Sequence, residues 1–208
     1  MDVNQMKVIT TVVGELGTNC YLLLDGKTRE AALIDPADSP DELSALIERE
    51  GASLRYILLT HGHRDHTLAV PAMHERYPDA AVYIHRLDAG GSGIYHYPLR
   101  GVIDGLRYYD DGDTLPLGSL EIEVLHTPGH TAGSVTLKVA DALFAGDTLF
   151  AGSCGRTDLP GGNAEEMAAS LRRLSRLPGD YTVYPGHMGA STLSRERERN
   201  PFMRSAMN

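Results

Sequence analysis

Seven side chains able to bind a metal ion punctuate this chain. His61, His63, Asp65 and His66 fall within the stretch Thr60 to His66, and His130, Asp147 and His187 follow at long intervals. Imidazole nitrogens and carboxylate oxygens are the donors that hold zinc, iron or manganese. Seven of them suit two adjacent cations better than one, and such a pair makes hydroxide from water near neutral pH. His61 and His63 stand two apart in an extended stretch, so they project to the same side and can reach one cation. Asp65 and His66 lie beyond the turn and can serve a second. Asp147, at the end of a strand, suits a carboxylate bridging the two; His130 would complete the first site and His187 the second. A His-x-His-x-Asp-His string is rare by chance, whereas His130, Asp147 or His187 alone would carry little weight. His74, His85, His96 and His126 lack such spacing and are assigned structural places.

The elements that must position these residues follow from hydrophobic period and turn signals. Val8 to Val13, Cys20 to Leu24 and Ala31 to Ile34 read as strands, with turns at Gly14–Gly17 and Asp25–Gly26. Ser39 is expected to cap a helix that starts at Pro40 and ends at Gly51. Tyr56 to Leu59 reads as a strand buried on both faces. The His-rich segment begins where that strand stops. His66 to Tyr77 is then expected to form one helix despite Pro71, and Ala81 to Ile84 another strand. A second pass follows with strands at Leu120–Leu125, Ser134–Val139 and Leu143–Ala145. The amphipathic stretch Glu165 to Leu177 is helical by period. Tyr181 to Tyr184 forms a strand, and Thr192 to Arg199 a last exposed helix. Strands flanked by helices in two successive halves imply an α/β fold, a pair of facing sheets between helical layers in one domain over residues 1–208. Every candidate ligand falls just after a strand, in a loop where rigid elements can bring distant sequence to one point.

Bulk properties narrow the partners. A net charge of −9 disfavours nucleic acid and anionic membrane surfaces. Met1 to Lys7 shows no signal peptide, and no run approaches a membrane span. Two cysteines, Cys20 and Cys154, are too few for a disulfide framework and fit a reducing compartment. The expectation is a cytoplasmic enzyme acting on a small molecule, without nucleic-acid or membrane partners.

Four segments, Thr60–His66, Thr127–His130, Phe144–Asp147 and Tyr184–His187, resemble the metallo-β-lactamase superfamily, and within it the glyoxalase II-like hydrolases. The resemblance covers nearly the whole chain. It implies an αββα sandwich with a dinuclear site at one edge of the sheets. His61, His63 and His130 then match site one, Asp65, His66 and His187 match site two, and Asp147 matches the bridging carboxylate. The family often has Gly where this chain has Ala69. Ala151 to Gly162 is similar to the loop of small glyoxalase II-like enzymes, and its Cys154-Gly155-Arg156-Thr157-Asp158 part also resembles the persulfide dioxygenase branch. Full-length glyoxalase II carries a helical extension, whereas 21 residues follow His187 here.

The expected cofactors are two divalent ions, zinc first, with iron or manganese as alternatives. The expected reaction is hydrolysis of a hydroxyacylglutathione-type thioester by hydroxide bridging two cations about 3.5–4 Å apart, with Asp65 as the catalytic carboxylate aiming it. The alternatives are a mononuclear iron oxygenase of the persulfide dioxygenase type, using His61, His130 and Asp147, or a lactonase. Arg156 is a candidate for pairing with a substrate carboxylate. The Gly-rich stretch Gly90 to Tyr97 is read as a loop able to cover the site.

Overall fold

The computed structural model describes residues 6–91 and 95–208. Its first sheet runs in chain order through β1 (Met6–Val13), β2 (Thr18–Asp25), β3 (Glu30–Ile34), β4 (Ser53–Leu58), β5 (Ala81–His85) and β6 (Arg107–Tyr109). The second comprises β7 (Thr114–Leu117), β8 (Leu120–His126), β9 (Val135–Val139), β10 (Ala142–Gly146), β11 (Thr182–Pro185) and β12 (Ser191–Thr192), with β12 and β7 at its edges. Both sheets are mixed: β3 to β6 run parallel, as do β10 and β11, and the other pairs are antiparallel.

Alternation within single strands builds three layers. Along β2, Tyr21 and Leu23 face the opposite sheet, while Cys20, Leu22 and Leu24 face helices α1 (Pro40–Arg49) and α3 (Val70–Arg76). Between those helices in sequence lies the one-turn α2 (Arg64–Thr67). Along β10, Ala142 and Phe144 join the layer between the sheets. Leu143 and Ala145 pack instead with Met167, Leu171 and Leu174 of α4 (Ala164–Ser175). Such strands are apolar on both faces, which is why Tyr56 to Leu59 reads as a continuous apolar run. Each fully buried Leu or Phe contributes about 1.5–3 kcal/mol, so this αββα sandwich is held mainly by hydrophobic burial. No helix among the described residues is long and apolar enough to cross a membrane.

Three expectations need correction. The helix expected over His66–Tyr77 is broken into α2 and α3. Pro71 has no N–H to offer the carbonyl of Thr67, and Ala69 turns its N–H to Pro36 O at 3.1 Å. Ser39 does not cap α1 through its side chain. It sits in the left-handed region at φ 55°, and the helix starts on the preset backbone of Pro40. The last helix is neither last nor wholly exposed. Leu193 and Glu196 of α5 (Leu193–Arg199) are buried, and α6 (Pro201–Met207) follows. Asn200 joins them: its Oδ1 accepts from Phe202 N and Met203 N, and its amide donates to Ser153 O at 2.9 Å. The tail is thereby tied to the loop behind Asp147. Of the stretch Gly90 to Tyr97, residues 92–94 lie outside the described residues.

Asp25 links the two sheets away from the ligand loops. Its carboxylate ends β2 and accepts from Ser119 N at 2.8 Å, Ser119 Oγ at 3.0 Å, Thr28 Oγ1 at 2.7 Å and Lys27 N at 3.2 Å. Burial works to raise its pKa, but these hydrogen bonds outweigh it and hold the carboxyl well below the usual carboxylate range. A depressed folded-state pKa stabilises the fold above the unfolded value of about 3.9, and that contribution fades as pH falls through the folded value. Asp25→Ala is expected to cost about 1.5–3 kcal/mol in urea unfolding at pH 7, because it removes the hydrogen bonds that hold a charged carboxylate between the two sheets. The gap to wild type should close in acid; a gap independent of pH would contradict this reading.

Candidate metal centre

The carboxyl ends of β4, β8, β10 and β11 deliver the loops that carry the seven predicted ligands, and the fold brings all seven side chains to one place. Nδ1 of His63 lies 3.1 Å from Nε2 of His61 and 2.9 Å from Nε2 of His130. A second group forms beside it, with Nε2 of His187 3.3 Å from Nε2 of His66 and 3.2 Å from Asp65 Oδ2. Asp147 stands between the groups. Its Oδ1 is 3.4 Å from His66 Nε2, and its Oδ2 is 3.4 Å from His130 Nε2 and 3.6 Å from His187 Nε2.

Hydrogen bonds on the far side of the His61, His66 and His130 rings decide which of their nitrogens are bare. Asp35 Oδ2 accepts from the Thr60 hydroxyl at 2.6 Å and from Nδ1 of His66 at 3.0 Å, and Asp35 Oδ1 accepts from Thr60 N at 2.7 Å. Because the Thr60 hydroxyl proton is spent on Asp35, its oxygen accepts from Nδ1 of His61, 3.1 Å away. Nδ1 of His130 donates to the carbonyl of Arg156 at 2.8 Å. In the neutral rings, Nε2 of His61, His66 and His130 therefore turn lone pairs inward. Several lone pairs within about 3 Å of one another repel unless a cation lies among them. The unpartnered Oδ1 of Asp147 in the same buried space makes the same demand. The donor set fits a metal centre.

Electrostatics agree. Burial, then the neighbouring imidazoles, push His61 well down and His63 down to about 3, which leaves both rings neutral and able to ligate. For His66, burial is outweighed by Asp147, then Asp35 and Asp65, and its pKa is pushed up to about 9. A proton and a cation thus compete for that nitrogen. Burial also works to raise Asp65, but His187 and His66 overcome it and keep the carboxyl ionised. His187 is raised, chiefly by its hydrogen bond to Asp65.

Close backbone approach is part of the design. A Cβ at Gly186 would overlap Asp147 Oδ1 and lie 2.7 Å from His66 Cε1; one at Gly155 would overlap the Asp147 carbonyl. Only glycine fits at these two places.

Arg156 touches the cluster through its backbone. Its guanidinium forks onto Asp158 at 2.7 and 2.8 Å, while its carbonyl orients His130. His96, assigned no role, packs its ring 4.7 Å from that of His63. His85 and His126 stack on each other at 4.4 Å, outside the cluster.

Two functional carboxylates escaped the sequence reading. Asp35 ends a buried strand before a proline, as Asp147 ends one after a glycine, so its position was a usable signal. Its geometry lies near that of a ligand to His61 and His66, yet three donors already occupy its oxygens, so it orients the rings instead. Asp88 had no local signal. Its Oδ2 accepts from Gly62 N at 2.9 Å and Thr131 Oγ1 at 2.6 Å, and its Oδ1 from Gly133 N at 2.8 Å. One buried carboxylate thus clamps the His61–His63 loop to the His130 loop. Asp88→Ala is expected to weaken metal binding at the His61, His63 and His130 group by about 10–100-fold, as read by competition with a chromophoric chelator. Unchanged affinity in a folded variant would remove Asp88 from the account.

With this geometry in view, the relatives are informative. The sequence profile of the Metallo-beta-lactamase superfamily matches residues 13–187. Hydroxyacylglutathione hydrolase GloC of Haemophilus influenzae is 33% identical, covering 90% of this chain and 93% of its own length. Among solved structures, ETHE1 from Myxococcus xanthus superposes with a TM-score of 0.81 at 31% identity, covering 98% of this chain and 91% of the other. TTHA1623 in a di-iron-bound form gives 0.80 at 38% identity, over 94% of this chain and 100% of the other. Profile, fold and ligand loops coincide: the chain belongs to the metallo-β-lactamase superfamily, whose glyoxalase II-like members it is similar to.

Proposed function

We propose that this protein is a metal-dependent hydrolase that cleaves a small-molecule thioester of the hydroxyacylglutathione type. The observation that carries this reading is the pair of inward-facing donor groups with Asp147 between them and the ionised Asp65 at the more open one. The likeness to GloC supports the substrate class. His61, His63 and His130 would hold one ion, Asp65, His66 and His187 the other, with Asp147 shared. Bound zinc would supply hydroxide at neutral pH and Lewis-acid polarisation of the thioester carbonyl; the di-iron relative shows that a similar chain accepts iron.

The chain's own groups do the rest. His61 and His66 are fully buried, whereas Asp65 and His187 remain partly exposed, so substrate reaches the centre from the Asp65–His187 side. Asp65, kept ionised by His187 and His66, accepts a hydrogen bond from the attacking water and aims its lone pair. Asp35 and the Arg156 carbonyl hold the imidazoles against rotation while charge develops. A thiolate, with a parent thiol pKa of about 8.5, leaves without a dedicated general acid. A cytoplasmic location belongs to the same proposal and rests on two unpaired cysteines, Cys20 and Cys154.

A second reading, a mononuclear iron oxygenase of the persulfide dioxygenase type, draws support from the likeness to ETHE1. Thioester turnover and oxygen uptake with glutathione persulfide, measured on the same iron- and zinc-loaded preparations, separate the two. Chelation by EDTA is expected to abolish thioester cleavage, and added zinc to restore it. Asp65→Asn should lower kcat by about 10²–10⁴-fold at near-normal metal content. Cleavage that survives chelation would overturn the proposal.

A further inference from the structure

Three of the ligand rings have a partner on their far side, and His63 does not. Its Nδ1 faces Nε2 of His61 and Nε2 of His130, so Nδ1 is the ligand atom and the proton of the neutral ring sits on Nε2. That Nε2 is buried and finds no partner among the described residues. A buried N–H without an acceptor costs about 1–3 kcal/mol, so this one calls for a partner close by.

A second unpaired nitrogen lies beside it. His96 is only 8% exposed, and its Nδ1 is likewise buried without a partner among the described residues. The backbone brings the two rings together. Arg64 N donates to Tyr95 O at 2.8 Å and Tyr97 N to Gly62 O at 3.2 Å, which sets His63 opposite His96 in an antiparallel bridge. The bonds belong to the flanking residues, and in a pair of that kind the side chains stand closest. The ring centroids are 4.7 Å apart, with the planes at 61°. Close contacts hold the bridge in place. A Cβ at Gly62 would lie 2.6 Å from Asp88 O and 3.3 Å from His96 Cδ2, and Thr67 Oγ1 donates to His63 O at 2.9 Å. The Arg64 guanidinium lies 5.8 Å from the centre of the Tyr97 ring, a further tie across the pairing.

We propose that Nδ1 of His96 is the acceptor for Nε2–H of His63, which makes His96 the positioning residue for that ligand ring. Ring nitrogens lie about 1 Å from their centroid, so centroids 4.7 Å apart leave room for a bond of about 2.9 Å when either ring turns. The bond resists rotation of the His63 ring and selects its tautomer. With the proton kept on Nε2, Nδ1 stays bare for a cation. His96 does for His63 what Asp35 does for His66 and the Arg156 carbonyl for His130. The inference rests on the metal centre and is independent of the substrate.

Two measurements on the full-length protein test this, and neither needs catalysis. The first is zinc affinity, read by competition with a chromophoric chelator. His96→Phe keeps a packed ring but offers no acceptor, and it is expected to weaken binding at the His61, His63 and His130 group about 10-fold. His96→Asn places a side-chain oxygen near the position of Nδ1 and is expected to recover affinity to within about three-fold of wild type. A ring that merely packs is better replaced by Phe than by Asn, so the order of the two variants separates packing from hydrogen bonding. The second measurement uses wild type alone. In zinc-loaded protein with 15N-labelled histidine, NMR should show the His63 Nε2–H as a slowly exchanging proton, with nitrogen–nitrogen coupling across the bond to His96 Nδ1. Absence of that coupling would overturn the proposal. So would a His96→Phe protein that binds zinc as tightly as wild type, or more tightly than His96→Asn.

Discussion

Everything in this molecule turns on inward donor atoms that either a cation or a proton on His66 and His187 must satisfy. Three of the five rings are locked from behind: His66 by Asp35, His61 by Thr60 acting for Asp35, and His130 by the Arg156 carbonyl. Rotating any of these imidazoles to escape its neighbours would break a buried hydrogen bond. The repulsion therefore cannot relax by rotation and is left for a cation, or a competing proton on His66, to resolve. The arrangement costs stability in the metal-free chain and makes metal affinity out of it, as expected where binding and folding free energy are linked.

The sandwich exists to hold that arrangement. Strands apolar on both faces leave few ways to shift, so the loops at their carboxyl ends are fixed in relative position by the core. Ligands from β4, β8, β10 and β11 meet although the first and last are 126 residues apart (187 − 61). Carboxylates then fasten loop to loop. Asp88 joins the two loops of the first group, Asp35 reaches both groups through Thr60 and His66, and Asn200 anchors the segment behind Asp147.

Much of this was legible in the chain, for stated reasons. The ligand string and its loop setting depend on short-range order, and so do strands such as Tyr56–Leu59 whose apolar runs leave no doubt about burial. Elements failed where tertiary contacts decided. The break between α2 and α3 needed Pro36 O to take the N–H of Ala69, and Pro36 is far away in sequence. The edge strands β6 and β7 are short and half exposed, so they carry little hydrophobic pattern. Asp88 depends on which loops the fold brings together, which no local window reports. Arg156 shows a further limit: its backbone carbonyl orients His130, a role that no side-chain pattern in the sequence signals.

The central claim is that two cations belong in the buried space defined by the two donor groups, with Asp147 between them. Anomalous X-ray diffraction, recorded at the zinc and iron absorption edges on crystals of protein purified without added metal, tests it most directly. The account predicts two anomalous peaks, one within ligand distance of His61, His63 and His130, the other within ligand distance of Asp65, His66 and His187. Crystals in which those side chains converge on no anomalous peak, even after soaking in zinc or iron, would contradict it.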